Sequence, residues 1–156
     1  MALVRTKAAY ELIVQEAAAI GAGKFIESCL AQYLAVIFYA EMEEQVADII
    51  STHLRRFTNS RIGQFLSKNM QNMIGRTPKS DIAKLLGQMG DDFKARFNEQ
   101  VDERQVAIYS NIIQARHNVG HKHGSSIDIS EISVAIDAAD RILESLDRCF
   151  RDDEQA

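Results

Sequence analysis

An all-α helical bundle of about five to six helices, with a long central second helix, is the fold class that three features of the sequence predict. Pro78 is the only proline and glycine occurs eight times in 156 residues, too seldom for the closely spaced turns of a sandwich or barrel. Apolar residues recur at intervals of three and four along most of the chain, the period of a helix with one buried face. Tyr33 to Ala40 is an unbroken apolar run of eight residues, which predicts a helix buried on more than one side.

The first helix is expected over Leu3 to Ile20, with Leu3, Tyr10, Leu12, Ile13, Ala17 and Ile20 as its apolar stripe, and Gly21 and Gly23 ending it. The second runs from Lys24 to about Arg56 on the spacing of Phe25, Leu30, Leu34, Ile37, Phe38, Met42, Val46, Ile49 and Ile50. Asn59 or Ser60 caps a third through Met73, and Gly75-Arg76-Thr77-Pro78 is the clearest loop. A short helix follows over Lys79 to Met89, ended by Gly90. Asp91 and Asp92 then form the acidic first turn of a helix reaching Asn118, with a break near Asp102. Asp128 or Ser130 caps the last helix, whose Ile132, Ala135, Ile136, Ala139, Ile142, Leu143 and Leu146 are strongly periodic; only Ser125 to Ile129 reads as extended. Met42, Met70, Met73 and Met89 read as core fillers.

The length is that of one domain, taken as residues 1–150 with 151–156 as an acidic tail. Cys29 and Cys149 fit no paired spacing and read as two buried thiols of a cytoplasmic protein. The alanine-rich start is interrupted by Glu11 and Glu16 before an export-signal core forms, and the longest wholly apolar run is far short of the roughly 18 residues that span a bilayer, so no membrane is expected.

Net charge is −4 and the isoelectric point about 5.6, which excludes a general nucleic-acid coating protein. The charge is unevenly divided. From Asp128 onward nine acids face three bases, whereas Gln105 to Ile127 contains no carboxylate and holds Arg116, Lys122 and three of the four histidines. Arg55, Arg56, Arg61 and Lys68 read as a solvated charged face rather than an RNA-guiding ridge.

Within the carboxylate-free window, Arg116 and His121 lie five residues apart, about 140° from each other on a continuous helix. Gly120 can end that helix in the left-handed conformation and bring His121 back toward Arg116. Such a pair supplies a proton-transferring imidazole and a charged fork for phosphate oxygens. Spacing alone is weak, since an Arg followed five residues later by His arises by chance in about a quarter of chains with this composition. His117, His121 and His123 form a rival zinc-binding set, disfavoured by the lack of a nearby acidic or cysteine ligand; no metal site is assigned.

Arg116-His117-Asn118-Val119-Gly120-His121 resembles the motif of HEPN domains, an arginine, a polar residue, three further residues and a histidine at the end of one bundle helix and before the last. The long helix with Phe38-Tyr39-Ala40-Glu41-Met42-Glu43-Glu44 and the Ser125–Ser130 lead into Glu131–Phe150 match the same layout. The resemblance is closest to the ribonuclease branch and implies a metal-independent endoribonuclease without cofactors, acting in toxin–antitoxin or phage-defence systems. It implies Arg116 and His121 as catalytic, with Asn118 or His117 as the polar support; His117 or His123 could supply a second proton-transfer group within the same chain, and Lys122 is the candidate for contact with RNA. It also implies a helix acid, best placed at Glu43, with Glu41 or Glu44 as alternatives. The expected partners are RNA, a second copy with the two motifs facing across a cleft, and an antitoxin or other protein. A non-catalytic bundle binding a nucleotide or a protein is the alternative. Members restrained by a nucleotidyltransferase antitoxin carry a tyrosine two residues after the motif histidine; His123 stands there, which excludes tyrosine modification at that position.

Overall fold

The computed structural model describes residues 3–21, 23–54, 61, 64–65, 68–69, 78–99, 101–119 and 127–152, with the side chains of 116–119 and 152 left aside. Among the described residues the fold is all-α, without strands. Six helices have defined bounds: α1 Val4–Ala19, α2 Lys24–Leu54, α3 Lys79–Met89, α4 Asp91–Glu99, α5 Glu103–Val119 and α6 Ile129–Asp152. Residues 61, 64–65 and 68–69 are helical too, within the expected third helix, whose remaining residues lie outside the described set. The chain divides into two compact units, Met1–Glu41 with Asp102–Asp140, and Met42–Val101 with Arg141–Ala156.

In the first unit, α1 begins at Leu3, a buried non-glycine residue in the left-handed conformation (φ 57°) with no cap from its own side chain. The cap comes from α2. Glu41 accepts hydrogen bonds from the backbone N–H of Arg5 (3.0 Å) and of Thr6 (2.7 Å) and from the Thr6 hydroxyl (2.7 Å). These amides belong to the first turn, where a helix has donors without intrahelical partners. Lys7 closes the same end with an ion pair to Asp140 at 2.6 Å. Gly21, at φ 58°, ends α1 and donates to Ala18 O.

The core of this unit joins the inward face of α2, Ala31, Leu34, Ala35 and Phe38, to Tyr109 and Ile112 of α5 and Ile132, Ala135 and Ala139 of α6. Phe38 and Tyr109 meet edge to face at 5.7 Å between ring centres. The stripe expected for α1 is only partly right: Leu3 and Ile13 are buried, but Leu12 and Ile20 are 58% and 64% exposed, and polar Thr6 is buried in partnership with Glu41. Nor is α2 buried on several sides. Tyr33 and Val36 are exposed and Phe25 is 81% exposed, because the inward arc through Leu34 and Phe38 already fills the unit's core. Cys29 is exposed as well, so only Cys149 is a buried thiol.

The second unit packs Met42, Val46 and Ile50 of α2 with Leu86 of α3, Phe97 of α4 and Ile142 and Leu146 of α6. Pro78 precedes α3, and Gly90 separates it from α4. The Ser145 hydroxyl donates to Phe97 O in the last turn of α4 at 3.4 Å, and Cys149 Sγ donates to Phe93 O at 3.8 Å. His53 contacts Asp147 at 2.9 Å and stacks on Phe150 with ring centres 5.0 Å apart. Met89 is exposed at the end of α3, against its expected core role, while Met42 is buried; Met70 and Met73 lie outside the described residues.

The expected break near Asp102 separates α4 from α5, and Asp102 caps α5 by accepting from the N–H groups of Arg104 (2.7 Å) and Gln105 (3.3 Å). The seven apolar residues expected along the last helix are all buried. That helix continues through Asp152, so Arg151 and Asp152 are helical, with Arg151 paired to Asp147 one turn earlier. By length and composition α2 is apolar enough to cross a membrane, a property shared by core helices of soluble proteins, and 39% of its most apolar window is buried within the fold.

Candidate functional site

Helix α5 carries the motif arginine to its end. Its backbone stays helical through Val119, one residue beyond expectation, placing Arg116, His117 and Asn118 in the last turn. The last turn is also the negative end of the helix dipole, where cationic groups are favoured. Arg116 and the polar residues after it therefore occupy a site at which local charge and sequence agree. His121, Lys122 and His123 lie outside the described residues, as do the side chains of Arg116, His117 and Asn118.

On the far side of this segment the chain is fixed again. Ile127 is buried, and Asp128 caps α6, resolving the choice between Asp128 and Ser130. Its carboxylate accepts from the Ser130 backbone N–H at 2.8 Å and from the Ser130 hydroxyl at 2.9 Å. Glu131 reciprocates by accepting from the Asp128 N–H at 3.2 Å, completing a capping box. The bonds from Ser130 hold the Asp128 carboxyl below the usual carboxylate range. Thus the seven residues 120–126 run between a helix end and a side-chain-capped helix start within one unit.

Beside that start lies a cavity of about 530 Å³, bounded by Val14, Ala17 and Ala18 of α1, Lys24, Glu27 and Ser28 of α2, and Ile127 to Ile129. It was not foreseen from sequence, because its walls come from three distant segments. Lys24 is outnumbered there by Glu27 and Asp128, a charge balance that disfavours phosphate.

The three glutamates considered for the site separate clearly. Glu41 is buried and committed to the start of α1. Burial pushes its carboxyl pKa up, but the Thr6 hydroxyl, the Arg5 and Thr6 amides and the Arg5 charge outweigh this and hold it below the ordinary 4.5. Both of its oxygens are thus engaged at the start of α1. Glu43 is half-buried and Glu44 exposed, both in the second unit. The signal for the Glu41 role was a polar Thr6 on the inward side of an alanine-rich helix, which identifies no partner 35 residues away.

Arg61 and Lys68 are exposed, whereas Arg55 and Arg56 lie outside the described residues. Among the described residues no group of three His, Cys, Asp or Glu side chains is placed to hold a metal ion; the rival set at His117, His121 and His123 falls outside those side chains.

No curated protein and no solved structure matches the chain. A family model described as RiboL-PSP-HEPN matches residues 7–152, from the first turns of α1 to the end of α6. That span takes in all of the helices bounded above except the first three residues of α1, and it covers the Arg116–His121 segment; on it the chain belongs to the RiboL-PSP-HEPN family.

Proposed function

We propose that this chain is a metal-independent endoribonuclease, acting in the cytoplasm as a toxin or phage-defence effector restrained by a partner. The observation that carries this reading is the placement of Arg116 in the last turn of α5, with His121 five residues on, in a chain of the HEPN family. The capped start of α6 supports it by anchoring the other end of the same segment.

In the proposed reaction a ribose 2′-oxygen attacks the adjacent phosphorus while a base removes its proton. The bond from phosphorus to the 5′-oxygen breaks, and an acid protonates that oxygen. The products are a 2′,3′-cyclic phosphate and a 5′-hydroxyl, with no net redox change. His121 performs one proton transfer, and the Arg116 guanidinium binds the phosphate oxygens and stabilises the added charge at phosphorus. The second proton-transfer group is His117 or His123 of the same chain, or the motif histidine of a second copy in a two-fold dimer. Asn118 supports the pair, Lys122 binds RNA backbone, and Glu43 is the helix acid.

Cleavage of single-stranded RNA in EDTA is the test. Wild type is expected to leave cyclic-phosphate ends, and His121→Ala and Arg116→Ala each to reduce the rate by at least about 100-fold with helical content unchanged. Activity that survives both substitutions refutes the assignment. Absence of cleavage by wild type, with a nucleotide or protein bound instead, identifies a non-catalytic bundle.

A further inference from the structure

The first part of α2 has two apolar faces, and the fold uses one. Opposite the buried arc of Ala31, Leu34, Ala35 and Phe38 lies a second arc of Phe25, Ile26, Cys29, Tyr33, Val36 and Ala40, all exposed. At about 100° per residue these six positions occupy roughly 100° of the helix circumference, the width of a core-facing stripe. No charged residue occurs from Ser28 to Ala40. Nine of the eleven large apolar side chains exposed among the described residues belong to the first unit, so the excess is regional.

The spacing indicates the kind of surface that fits. Ile26, Cys29, Tyr33, Val36 and Ala40 follow one another at intervals of three, four, three and four. That is the seam of a helix packed along another helix at a shallow crossing angle of about 20°. We propose that this seam is the surface through which two copies of the chain pair, α2 against α2 about a two-fold axis. The proposal rests on the paired-chain part of the reading above and adds which surface pairs.

Two arguments favour a second copy. The seam is uncharged, so an isologous contact places no like charges together. The area also suffices. With roughly 200 Å² for an aromatic side chain and somewhat less for Ile and Val, the exposures of 81% for Phe25, 59% for Tyr33, 45% for Ile26 and 43% for Val36 amount to about 450 Å² of apolar surface per chain. Two chains then cover about 900 Å². With the polar rim that makes up nearly half of an ordinary interface, this reaches the standard size of about 1,600 Å². A lipid surface fits less well, since the basic flank that draws a helix to anionic membranes is absent: Lys24 is accompanied by Glu27.

Light scattering and sedimentation over about a hundredfold range of concentration test the proposal without reference to RNA cleavage, so pairing and catalysis can fail separately. Wild type is expected to be dimeric. Tyr33→Asp and Phe25→Asp, at exposed positions, are expected to raise the dimer dissociation constant roughly 30-fold or more with unchanged circular dichroism. Val134→Asp, an exposed apolar position on α6, serves as the control and should remain dimeric. Alkylation of Cys29 in wild type should slow as concentration rises, a readout independent of any variant's folding. A monomeric wild type overturns the proposal, as does a dimer indifferent to both seam substitutions. Monomeric wild type that binds phosphatidylcholine–phosphatidylglycerol vesicles and loses this with Tyr33→Asp would assign the seam to lipid instead.

Discussion

Replacing Glu41 with alanine should weaken the fold more than any other single change of a polar side chain on α2. The carboxylate, with only 4% of its side chain exposed, receives three hydrogen bonds of 2.7 to 3.0 Å. A hydrogen bond to a charged group contributes about 1.5–3 kcal/mol, but the bonds share one acceptor group and are not additive, and removal also relieves the cost of burying the charge. A net loss of about 3 kcal/mol follows, close to the upper end of the range for capping interactions plus one buried hydroxyl left unpaired. For a chain of this length that corresponds to a fall of about 9 °C in Tm. Glu41→Gln retains one acceptor oxygen and should cost about half as much. Urea unfolding followed by far-ultraviolet circular dichroism measures both, and a Thr6→Val, Glu41→Gln double-mutant cycle isolates the shared bond.

The pH dependence provides an independent check. The Glu41 pKa is lower in the folded chain than in the unfolded one, so its contribution is complete above about 4.5 and is lost as pH falls through the folded value. The stability gap between wild type and Glu41→Gln should therefore be flat from pH 7 to about 5 and shrink below that. Glu41→Ala within about 0.5 kcal/mol of wild type, or a gap that persists undiminished into acid, would refute the reasoning.

Other substitutions probe separate parts of the fold. Phe97→Ala empties a fully buried ring site in the second unit and should cost about 3–5 kcal/mol in urea unfolding. Gly21→Ala places a side chain at φ 58° and should destabilise by about 1 kcal/mol in the same assay. Asp128→Ala should raise hydrogen exchange at the Ser130 amide. In wild type that protection should persist above the usual carboxylate range and fade as pH falls through the lowered Asp128 pKa.

Helices with one strongly apolar face and clear punctuation were legible in the sequence. The α6 stripe, the Pro78 and Gly90 boundaries and the break at Asp102 follow from local chemistry, with each signal lying within a few residues of its effect. Reading failed where apolar residues surround a helix. Leu12, Ile20, Phe25 and Tyr33 look like core by composition, yet burial depends on which face meets a neighbour, information held in other segments. The same reason hid Glu41, which looks like one of three equivalent acids until the amides of Arg5 and Thr6 are brought to it. For the candidate site, the positions of Arg116 at the end of α5 and of Asp128 at the start of α6 were readable because caps and chain breaks are local, whereas the chemistry proposed for His121 draws on the resemblance.

The division of the chain also bears on how it is made. Each unit joins an early stretch to a late one, and α6 supplies the closing segment of both, through Asp140 in one and from Arg141 in the other. Neither unit is complete until residues beyond about 128 have left the ribosome, so vectorial synthesis cannot finish one before starting the other. Both depend on pairing residues about a hundred positions apart, which slows folding relative to a bundle closed by neighbouring helices.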